Sequence, residues 1–283
     1  MIVMSKINNV TVVVPVKNEQ QLLQECLSEL VAFREVVVVD SGSTDDTVEI
    51  AERNGATVVQ FRWTGSFPKK RNWVLENYEF KTDWILFLDA DEIVSSKFCS
   101  ELHAALDCTS HNGFWLSYTT YFMGQELKYG LRQRKLALIR LGKGFYENIP
   151  DEGWTNLDME VHEHPIISGT VGTIKAFVDH KDGNGLSRYL KKHLEYAIWE
   201  ANRYFELLCR TDPHYMTSRQ RFKYRHITKW WFPYFTFSYI YFCKLGFLDG
   251  RAGFYFAALK ARYFSQIKLL IWERAQTVRL PSK

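Results

Sequence analysis

The first third of the chain alternates short apolar runs with segments of helical periodicity. The apolar runs occupy residues 11–14, 35–39, 57–61 and 84–88. Between the first two runs, apolar residues recur every three to four positions, as at Leu23, Leu27 and Leu30. After the fourth run, Ser95 is expected to cap another helix that continues to about Leu106. Short apolar runs are typical of strands buried on both faces, and the intervening spacing is typical of helices. This order predicts an α/β fold of Rossmann-like type, in which a mostly parallel sheet carries helices on both faces.

The pattern changes after residue 106. Residues 114–122, 135–141 and 173–178 have the composition of strands, and they are separated by polar and Gly-containing loops. From about Leu186 the apolar residues return to helical spacing, as at Leu190, Leu194, Ala197 and Ala201. We therefore expect a sheet-containing domain over residues 1–182 and a helical C-terminal region over residues 183–283.

Charge and aromatic residues are distributed unevenly between these regions. Residues 210–283 contain 14 Lys and Arg and 3 Asp and Glu, a formal charge of +11, whereas residues 1–209 carry −7. An aromatic run at 230–242 follows several basic residues, contains Pro233 and is too short to span a bilayer. Trp and Tyr favour the headgroup level of a membrane, and Lys and Arg attract anionic lipid. The pattern predicts attachment to an anionic membrane surface, while an aromatic helical subdomain packed on the sheet domain is the alternative.

Two further features bear on location and partners. The five cysteines form no CxxC pair, which indicates reduced thiols, and residues 1–9 lack the apolar core of a secretory leader. We therefore expect a cytoplasmic protein, peripheral on the inner face of the cell membrane. Basic and aromatic residues interleave near the C-terminus, but no nucleic-acid-binding motif is recognisable, so nucleic acid is not an expected partner.

Polar residues follow three of the predicted parallel strands. Such sheets bind ligands at the carboxyl ends of their strands, so these clusters are expected to converge. The segment Asp89-Ala90-Asp91 leaves the fourth strand with two carboxylates that are suited to hold Mg²⁺ or Mn²⁺. Such an ion would bridge a nucleotide diphosphate. The simpler interpretation is a polar turn in which one Asp caps the next helix.

The other two clusters are suited to contact a nucleotide. Asn18 and Glu19 follow the first strand, and Asp40 follows the second, where its carboxylate would accept a hydrogen bond from a base. The alternative is that these residues are helix caps, as Ser43 to Asp45 are expected to be. Three cations, Lys69 to Arg71, open the third helix, where they would either meet phosphate or form a solvated basic turn.

Four motifs in this order carry a family resemblance. The segments VVVPVKNE, VVVVDSGSTDDT, FPKKRN and ILFLDADE together resemble glycosyltransferase family 2, which has the nucleotide-binding GT-A fold, over about residues 10–106. Within that family the chain is similar to lipopolysaccharide-core β-glucosyltransferases. Three later segments carry this second resemblance: VHEH at 161–164, DHKDGNGLSRYLKKHLEYAIWEA at 179–201 and GFLDGRAGF at 246–254.

The resemblance implies inverting transfer of a hexose, expected to be glucose, from a UDP-sugar to a lipopolysaccharide-type or lipid-linked glycan. It also implies roles for individual positions. The residues expected to hold the nucleotide-sugar are Pro15, Asn18, Glu19, Asp40, Ser41, Arg71, Asp89 and Ala90. The expected ligands of the Mg²⁺ or Mn²⁺ cofactor are Asp89, Asp91 and His180, and Asp91 is also expected to be catalytic.

Inverting transfer needs a carboxylate that takes the proton of the acceptor hydroxyl. Glu163 is our candidate for this general base, because a His-Glu pair fits the subgroup, and Asp158 and Glu160 are its rivals. The basic Q-x-x-R-W-type motif of many relatives is missing from this sequence, so the resemblance alone does not fix the base.

Two other functions stay open from the sequence. Transfer to a polyprenyl phosphate would need no base, since that acceptor is already an anion. A non-catalytic membrane adaptor would bind nucleotide-sugar or glycan without turnover, although the pair Asp89 and Asp91 favours an enzyme. A dehydrogenase is not expected, because no GxGxxG segment follows the first strand.

Overall fold

The computed structural model describes residues 7–151, 153–154, 158, 164–181, 185–209 and 216–279. The strands in these residues are β1 Ile7–Val16, β2 Phe33–Asp40, β3 Thr57–Gln60, β4 Trp84–Phe87, β5 Glu92–Ile93, β6 Gly113–Tyr118, β7 Thr120–Phe122, β8 Gln125–Leu127, β9 Arg134–Arg140, β10 Gly144–Tyr146, β11 Pro165–Ile167 and β12 Val171–His180. The α-helices are α1 Leu23–Ser28, α2 Thr47–Arg53, α3 Lys70–Asn77, α4 Ser96–Leu106, α5 Gly185–Cys209, α6 Ser218–His226, α7 Phe232–Ser238 and α8 Gly250–Arg279.

Eight strands form one mixed sheet in the order β3-β2-β1-β4-β9-β6-β12-β5. The pairs β1–β2, β1–β4, β2–β3 and β6–β12 are parallel, whereas β9 runs antiparallel to both β4 and β6, and β5 antiparallel to β12. Each of the first four predicted strands is present, and β1 and β2 extend beyond the predicted runs. The predicted α/β fold with a mostly parallel sheet and helices is confirmed.

Strand alternation gives the sheet a hydrophobic core on each face. Val12 and Val14 of β1 join the cluster that includes Phe98 and Leu102 of α4. Val13, which points to the opposite face, joins the cluster that includes Val74 of α3. Every residue of β1 from Val10 to Val16 is buried, so the strand is covered on both faces. Its sequence is therefore almost entirely apolar and does not alternate between apolar and polar residues.

Two predicted helices differ in how well the sequence defined them. The helix expected between β1 and β2 is only α1, six residues long, and the chain continues as turns to β2. The helix α4 matches its predicted bounds, and Ser95 caps it as expected by accepting the Phe98 N–H at 3.1 Å.

The described chain divides into two compact units. The first comprises residues 1–120, 132–150 and 157–181, and the second comprises residues 121–131, 151–156 and 182–283. The hairpin strand β8 and residues around Asp151 therefore group with the C-terminal helices rather than with the sheet. Inside the second unit, Trp199 of α5 donates its indole N–H to Asp151 at 2.9 Å.

The second unit contains a helical hairpin built from α7 and α8. The first arm continues from α7 through a π-helical segment, Tyr239–Cys243, and the turn ends in a 3₁₀ segment, Gly246–Asp249. The buried Asp249 accepts the backbone N–H groups of Lys128 and Tyr129, both at 3.0 Å. A Cβ on Gly253 would lie 1.9 Å from the Gly246 carbonyl oxygen. The GFLDGRAGF segment therefore builds this turn. Among the described residues, no helix is both long and apolar enough to cross a membrane.

Lys260 of α8 is enclosed among aromatic rings without a carboxylate partner among the described residues. Its Nζ lies 3.2 Å from His193 Nε2 and 5.4 Å from the centre of the Phe256 ring. Burial lowers the pKa of Lys260 to about 8. Because the unfolded chain binds this proton more tightly, the charged lysine destabilises the folded state at neutral pH.

We expect the Lys260→Met substitution to raise the free energy of unfolding by about 2 kcal/mol at pH 7. The gain is smaller than full burial would give, because the Lys260 side chain is partly exposed. The gain should shrink as pH rises from 8 towards 10, because the native lysine then loses its proton in the folded state. Denaturant unfolding at pH 7 and at about pH 10 measures this change in the free energy of unfolding, with Lys268→Met as the control. A gain that does not change with pH would contradict the explanation.

Candidate functional site

The loops that follow β1 and β2 hold each other in place. Asn18 has a left-handed backbone, with φ of 56°, and its Oδ1 accepts the Thr44 N–H at 2.8 Å. In return, the Asn18 N–H donates to Ser43 Oγ at 2.8 Å, and the Glu19 N–H donates to Thr47 Oγ1 at 2.8 Å. The first two predicted nucleotide loops are therefore fixed to each other at the carboxyl edge of the sheet.

Asp40 organises the loop that it begins. The residue is 1% exposed, and its carboxylate accepts N–H groups from Gly42 and Ser43, both at 3.1 Å to Oδ2. It therefore caps a turn rather than a helix, since α2 begins only at Thr47. Next to it, the Ser41 hydroxyl is buried and has no hydrogen-bond partner within the described part of the chain.

Among the predicted helix caps of this loop, Asp45 binds the first residue of α2, whereas Ser43 binds Asp40. The residue that precedes α2 is Asp46, and its side chain makes no capping hydrogen bond. Asp45 accepts the Thr47 N–H at 3.1 Å, and the Ser43 hydroxyl donates to Asp40 at 2.5 Å. Pro15, another predicted nucleotide contact, lies within β1 opposite Val39.

Asp89, at the exit of β4, lies between two cations. Its Oδ1 accepts from Arg71 Nη2 at 2.7 Å, and its Oδ2 accepts from Lys135 Nζ at 2.6 Å. Both carboxylate oxygens are thus occupied by charge-assisted hydrogen bonds, which are roughly twice as strong as neutral ones. Ala90, which follows, is 5% exposed and belongs to the apolar core.

Lys135 connects this loop to β9 through a second carboxylate. Its ammonium also contacts Glu92, which is 1% exposed and accepts the Asp89 N–H at 3.1 Å through Oε2. Burial raises the pKa of Glu92 to about 7, although the charge of Lys135 opposes the shift. For Lys135 itself, burial lowers the pKa, but Asp89 and Glu92 more than reverse that effect, so its pKa is raised overall.

Lys135 and Glu92 are functional residues that sequence reasoning missed. In the sequence Lys135 only begins a predicted strand, and its two partners, Asp89 and Glu92, lie 46 and 43 residues away along the chain. The one local signal is a lysine that opens an otherwise apolar strand, Leu136 to Ile139.

Asp91 and His180 meet on the other side of this loop. His180 Nε2 lies 3.2 Å from Asp91 Oδ2. The antiparallel pairing of β5 with β12 puts His180 opposite Glu92, and the Lys181 N–H donates to the Asp91 carbonyl at 2.9 Å. Burial lowers the pKa of His180, but its hydrogen bond to Asp91 outweighs this and leaves the pKa raised.

These side chains fit a divalent cation. Ligand atoms of Asp91, Glu92 and His180 all lie within 4.8 Å of one another. Two carboxylates and an imidazole provide the oxygen and nitrogen donors that Mn²⁺ accepts, and Mg²⁺ favours the carboxylates. The predicted ligands Asp91 and His180 are therefore brought together.

The basic start of α3 is buried at the site rather than solvated. Lys69, Lys70 and Arg71 are 5%, 2% and 9% exposed. The Lys70 ammonium donates to the Val16 carbonyl at 2.9 Å and lies 3.4 Å from Asp158, while Arg71 lies over the Tyr146 ring at 5.4 Å. Burial lowers the pKa of Lys70, and Asp158 opposes that shift. The alternative of a solvated basic turn is wrong.

The candidate general base and its rivals lie in or next to residues 159–163. Glu163 and its rival Glu160 lie outside the described residues. The other rival, Asp158, accepts the Lys70 N–H through its carbonyl oxygen at 3.1 Å.

The family follows from comparison with known proteins. The model of Glycosyl transferase family 2 matches residues 11–163, more than half of the chain. The chain belongs to this family.

Two curated relatives illustrate the similarity. The lipopolysaccharide core biosynthesis glycosyltransferase LpsC of Rhizobium meliloti is 30% identical over 172 residues, which are 56% of this chain and 57% of LpsC. An uncharacterized glycosyltransferase of Rickettsia conorii is 44% identical over 78 residues, which are 28% of this chain and 26% of that protein. The match thus spans about a quarter of the length of one of these relatives and just over half of the other.

Solved structures show a more distant similarity. Staphylococcus aureus TarS has a TM-score of 0.45 at 15% identity, over 95% of this chain and 92% of TarS. Glucosyl-3-phosphoglycerate synthase from Mycobacterium tuberculosis, crystallised with Mn²⁺, UDP and glucosyl-3-phosphoglycerate, has a TM-score of 0.32 at 27% identity, over 41% of this chain and 45% of that one. The family assignment rests on the sequence match.

Proposed function

We propose that the protein is an inverting, metal-dependent glycosyltransferase. It transfers a hexose from a UDP-sugar to a membrane-associated lipopolysaccharide-type or lipid-linked glycan, and glucose is the hexose that we propose. The observation that carries this proposal is the Asp91–His180 pair, in which His180 Nε2 lies 3.2 Å from Asp91 Oδ2. Two further observations support it: the loops after β1 and β2 are hydrogen-bonded to each other, and the chain belongs to glycosyltransferase family 2.

The donor nucleotide is proposed to bind along the carboxyl edge of β1, β2 and β4. The buried Ser41 hydroxyl and the Asp40 turn are suited to the base, because a buried polar group without a partner favours a ligand that supplies one. Pro15, Asn18 and Glu19 shape the neighbouring loop, and Arg71 adds positive charge close to the diphosphate position.

A divalent cation fits beside the donor, held by Asp91 and His180 with Glu92 nearby. When bound, Mg²⁺ or Mn²⁺ would neutralise the charge that develops on the diphosphate leaving group. Asp89 already has two cationic partners. We therefore assign Asp89 to fixing the loop geometry and Asp91 to the metal itself.

Glu163 is the proposed general base. In the transfer, the acceptor oxygen forms a bond to the anomeric carbon as the bond to the UDP oxygen breaks, and Glu163 takes the proton of the acceptor hydroxyl. Inversion follows from this single displacement. The described neighbour of Glu163, His164, donates its backbone N–H to Glu147 at 3.3 Å.

The acceptor is proposed from the chemistry of the relative and of the C-terminal region. LpsC is named for lipopolysaccharide core biosynthesis, and the +11 charge of residues 210–283 is suited to an anionic membrane. We propose a peripheral position on the cytoplasmic face of the membrane, where such acceptors are built.

The Glu163→Gln variant is expected to lose about 100-fold in transfer rate to a glycan hydroxyl, the lower end of what a general base contributes. UDP binding should not change. The rate of UDP release from UDP-glucose with a lipopolysaccharide-core acceptor measures the effect, and Glu126→Gln, an exposed position in β8, is the control. An unchanged rate with a polyprenyl-phosphate acceptor would favour the second candidate function, because that acceptor carries no proton to remove.

The same assay separates an enzyme from a binding protein. A transferase releases UDP only when a suitable acceptor is present, and it prefers UDP-sugars to GDP-sugars. Saturable UDP-sugar binding without turnover on glycan or polyprenyl-phosphate acceptors would instead indicate the non-catalytic adaptor.

A further inference from the structure

The helical hairpin of the second unit leaves a row of large apolar side chains uncovered. Along its first arm, Trp230, Tyr234 and Phe242 are 73%, 70% and 58% exposed. Phe235 and Tyr239 are also exposed. In the same arm, Phe232, Thr236 and Ile240 are buried.

The turn of this hairpin exposes a cluster of apolar side chains. Phe242, Leu245, Phe247 and Leu248 are all at least 43% exposed, and we refer to these four residues as the hairpin tip. The turn is held in shape by Asp249, which accepts the backbone N–H groups of Lys128 and Tyr129, the two residues after β8. The Gly130 N–H also donates to the Lys244 carbonyl at 2.8 Å. The tip is therefore a built feature that presents apolar side chains outward.

The charge of the chain on both sides of the tip favours one kind of partner. Residues 216–279 contain 12 Lys and Arg but only two acids, Asp249 and Glu273. Asp249 is buried, so Glu273 is the one exposed acid in this part of the chain. A second copy would bring two such basic surfaces together, and like charges repel. An anionic bilayer matches both features, because lipid accepts the apolar tip and its headgroups attract the cations of this part of the chain.

We propose that the hairpin tip inserts into the headgroup and upper acyl region of an anionic phospholipid bilayer. The exposed Trp230 and Tyr234 then lie among the headgroups, which suits aromatic rings with a polar end. The purpose of this insertion rests on the proposed function, in which the acceptor is membrane-bound. The observations that support the insertion itself are independent of catalysis.

Co-sedimentation of the full chain with vesicles tests the proposal. The native protein should bind vesicles that contain phosphatidylglycerol more strongly than vesicles of phosphatidylcholine alone, and raised salt should weaken that binding. The double variant Phe247→Ser, Leu248→Ser should bind at least about tenfold more weakly, because two exposed apolar side chains lose their burial in lipid. The variant Leu208→Ser removes an exposed leucine of α5 outside the hairpin and should bind like the native protein.

Several results would overturn the proposal. These are an absence of vesicle binding by the native protein, equal binding by the tip variant, or an equal loss in Leu208→Ser. A change in solution mass with the tip variant, without vesicle binding, would point to self-association, and binding to nucleic acid alone would point to that partner. UDP binding measured on the same samples keeps the two proposals apart, because the tip variant should retain it.

Discussion

The Asp91→Asn variant is expected to transfer sugar about 1,000-fold more slowly than the native protein. Asn has the same shape but lacks the negative charge that holds a divalent cation next to His180. A metal that neutralises a diphosphate contributes several kcal/mol to the transition state, and about 1.4 kcal/mol corresponds to a tenfold change in rate. The effect of Mn²⁺ on UDP binding should disappear in the same variant.

The Asp107→Asn variant is the matched control for this result. Asp107 follows α4, and its side chain is 65% exposed. Its Oδ2 atom lies 3.5 Å from His103 Nδ1, so this residue also pairs an aspartate with a histidine. This variant should keep the native rate and the native response to Mn²⁺. If Asp91→Asn retained the native rate with saturating Mn²⁺, Asp91 would have no metal-binding role and the assignment would fail.

The Lys135→Met variant is expected to lower the free energy of unfolding by about 3 kcal/mol. The substitution leaves Glu92 buried without its cation, and removing one partner of a buried ion pair is strongly destabilising. We place the effect at the low end of the usual range because the Lys135 side chain is 28% exposed. Denaturant unfolding measures the change, with the exposed Lys143→Met as the control.

A second substitution distinguishes this cause from a simple loss of packing. Adding Glu92→Gln to Lys135→Met removes the buried charge that the first change left unpaired. The double variant should therefore be more stable than Lys135→Met alone, which is a non-additive result expected only for residues in contact. Strictly additive losses would show that the Lys135–Glu92 contact does not stabilise the loop.

The sheet and its ligand-binding edge could be predicted because their signals are local. Buried strands such as residues 84–87 are continuous apolar runs, and the parallel α/β order puts their polar exits at one edge. Helix α4 was predicted to its ends because Ser95 supplies a cap and the apolar spacing that follows is regular.

The electrostatics of the site could not be predicted in the same way. Asp89 was expected to hold metal, but its environment depends on Lys135, which β9 brings from 46 residues away. Likewise, the pairing of β5 with β12 sets where His180 lies. These contacts depend on strand pairing across the sheet, for which the local sequence carries no signal.

The helical region was anticipated only in outline. Its helical periodicity predicted α5, but the sequence did not show that residues 121–131 belong to the same unit. That grouping depends on Asp249, which binds two backbone N–H groups more than 100 residues earlier in the chain. A buried aspartate looks the same as an exposed one in a sequence.

The binding of UDP, measured by calorimetry with and without Mn²⁺, tests the central claim most directly. We expect UDP to bind the native protein far more tightly when Mn²⁺ is present, and GDP to bind more weakly under the same conditions. UDP binding that is equally tight without the metal, or that is absent in both conditions, would contradict a metal-dependent UDP-sugar site at Asp91 and His180.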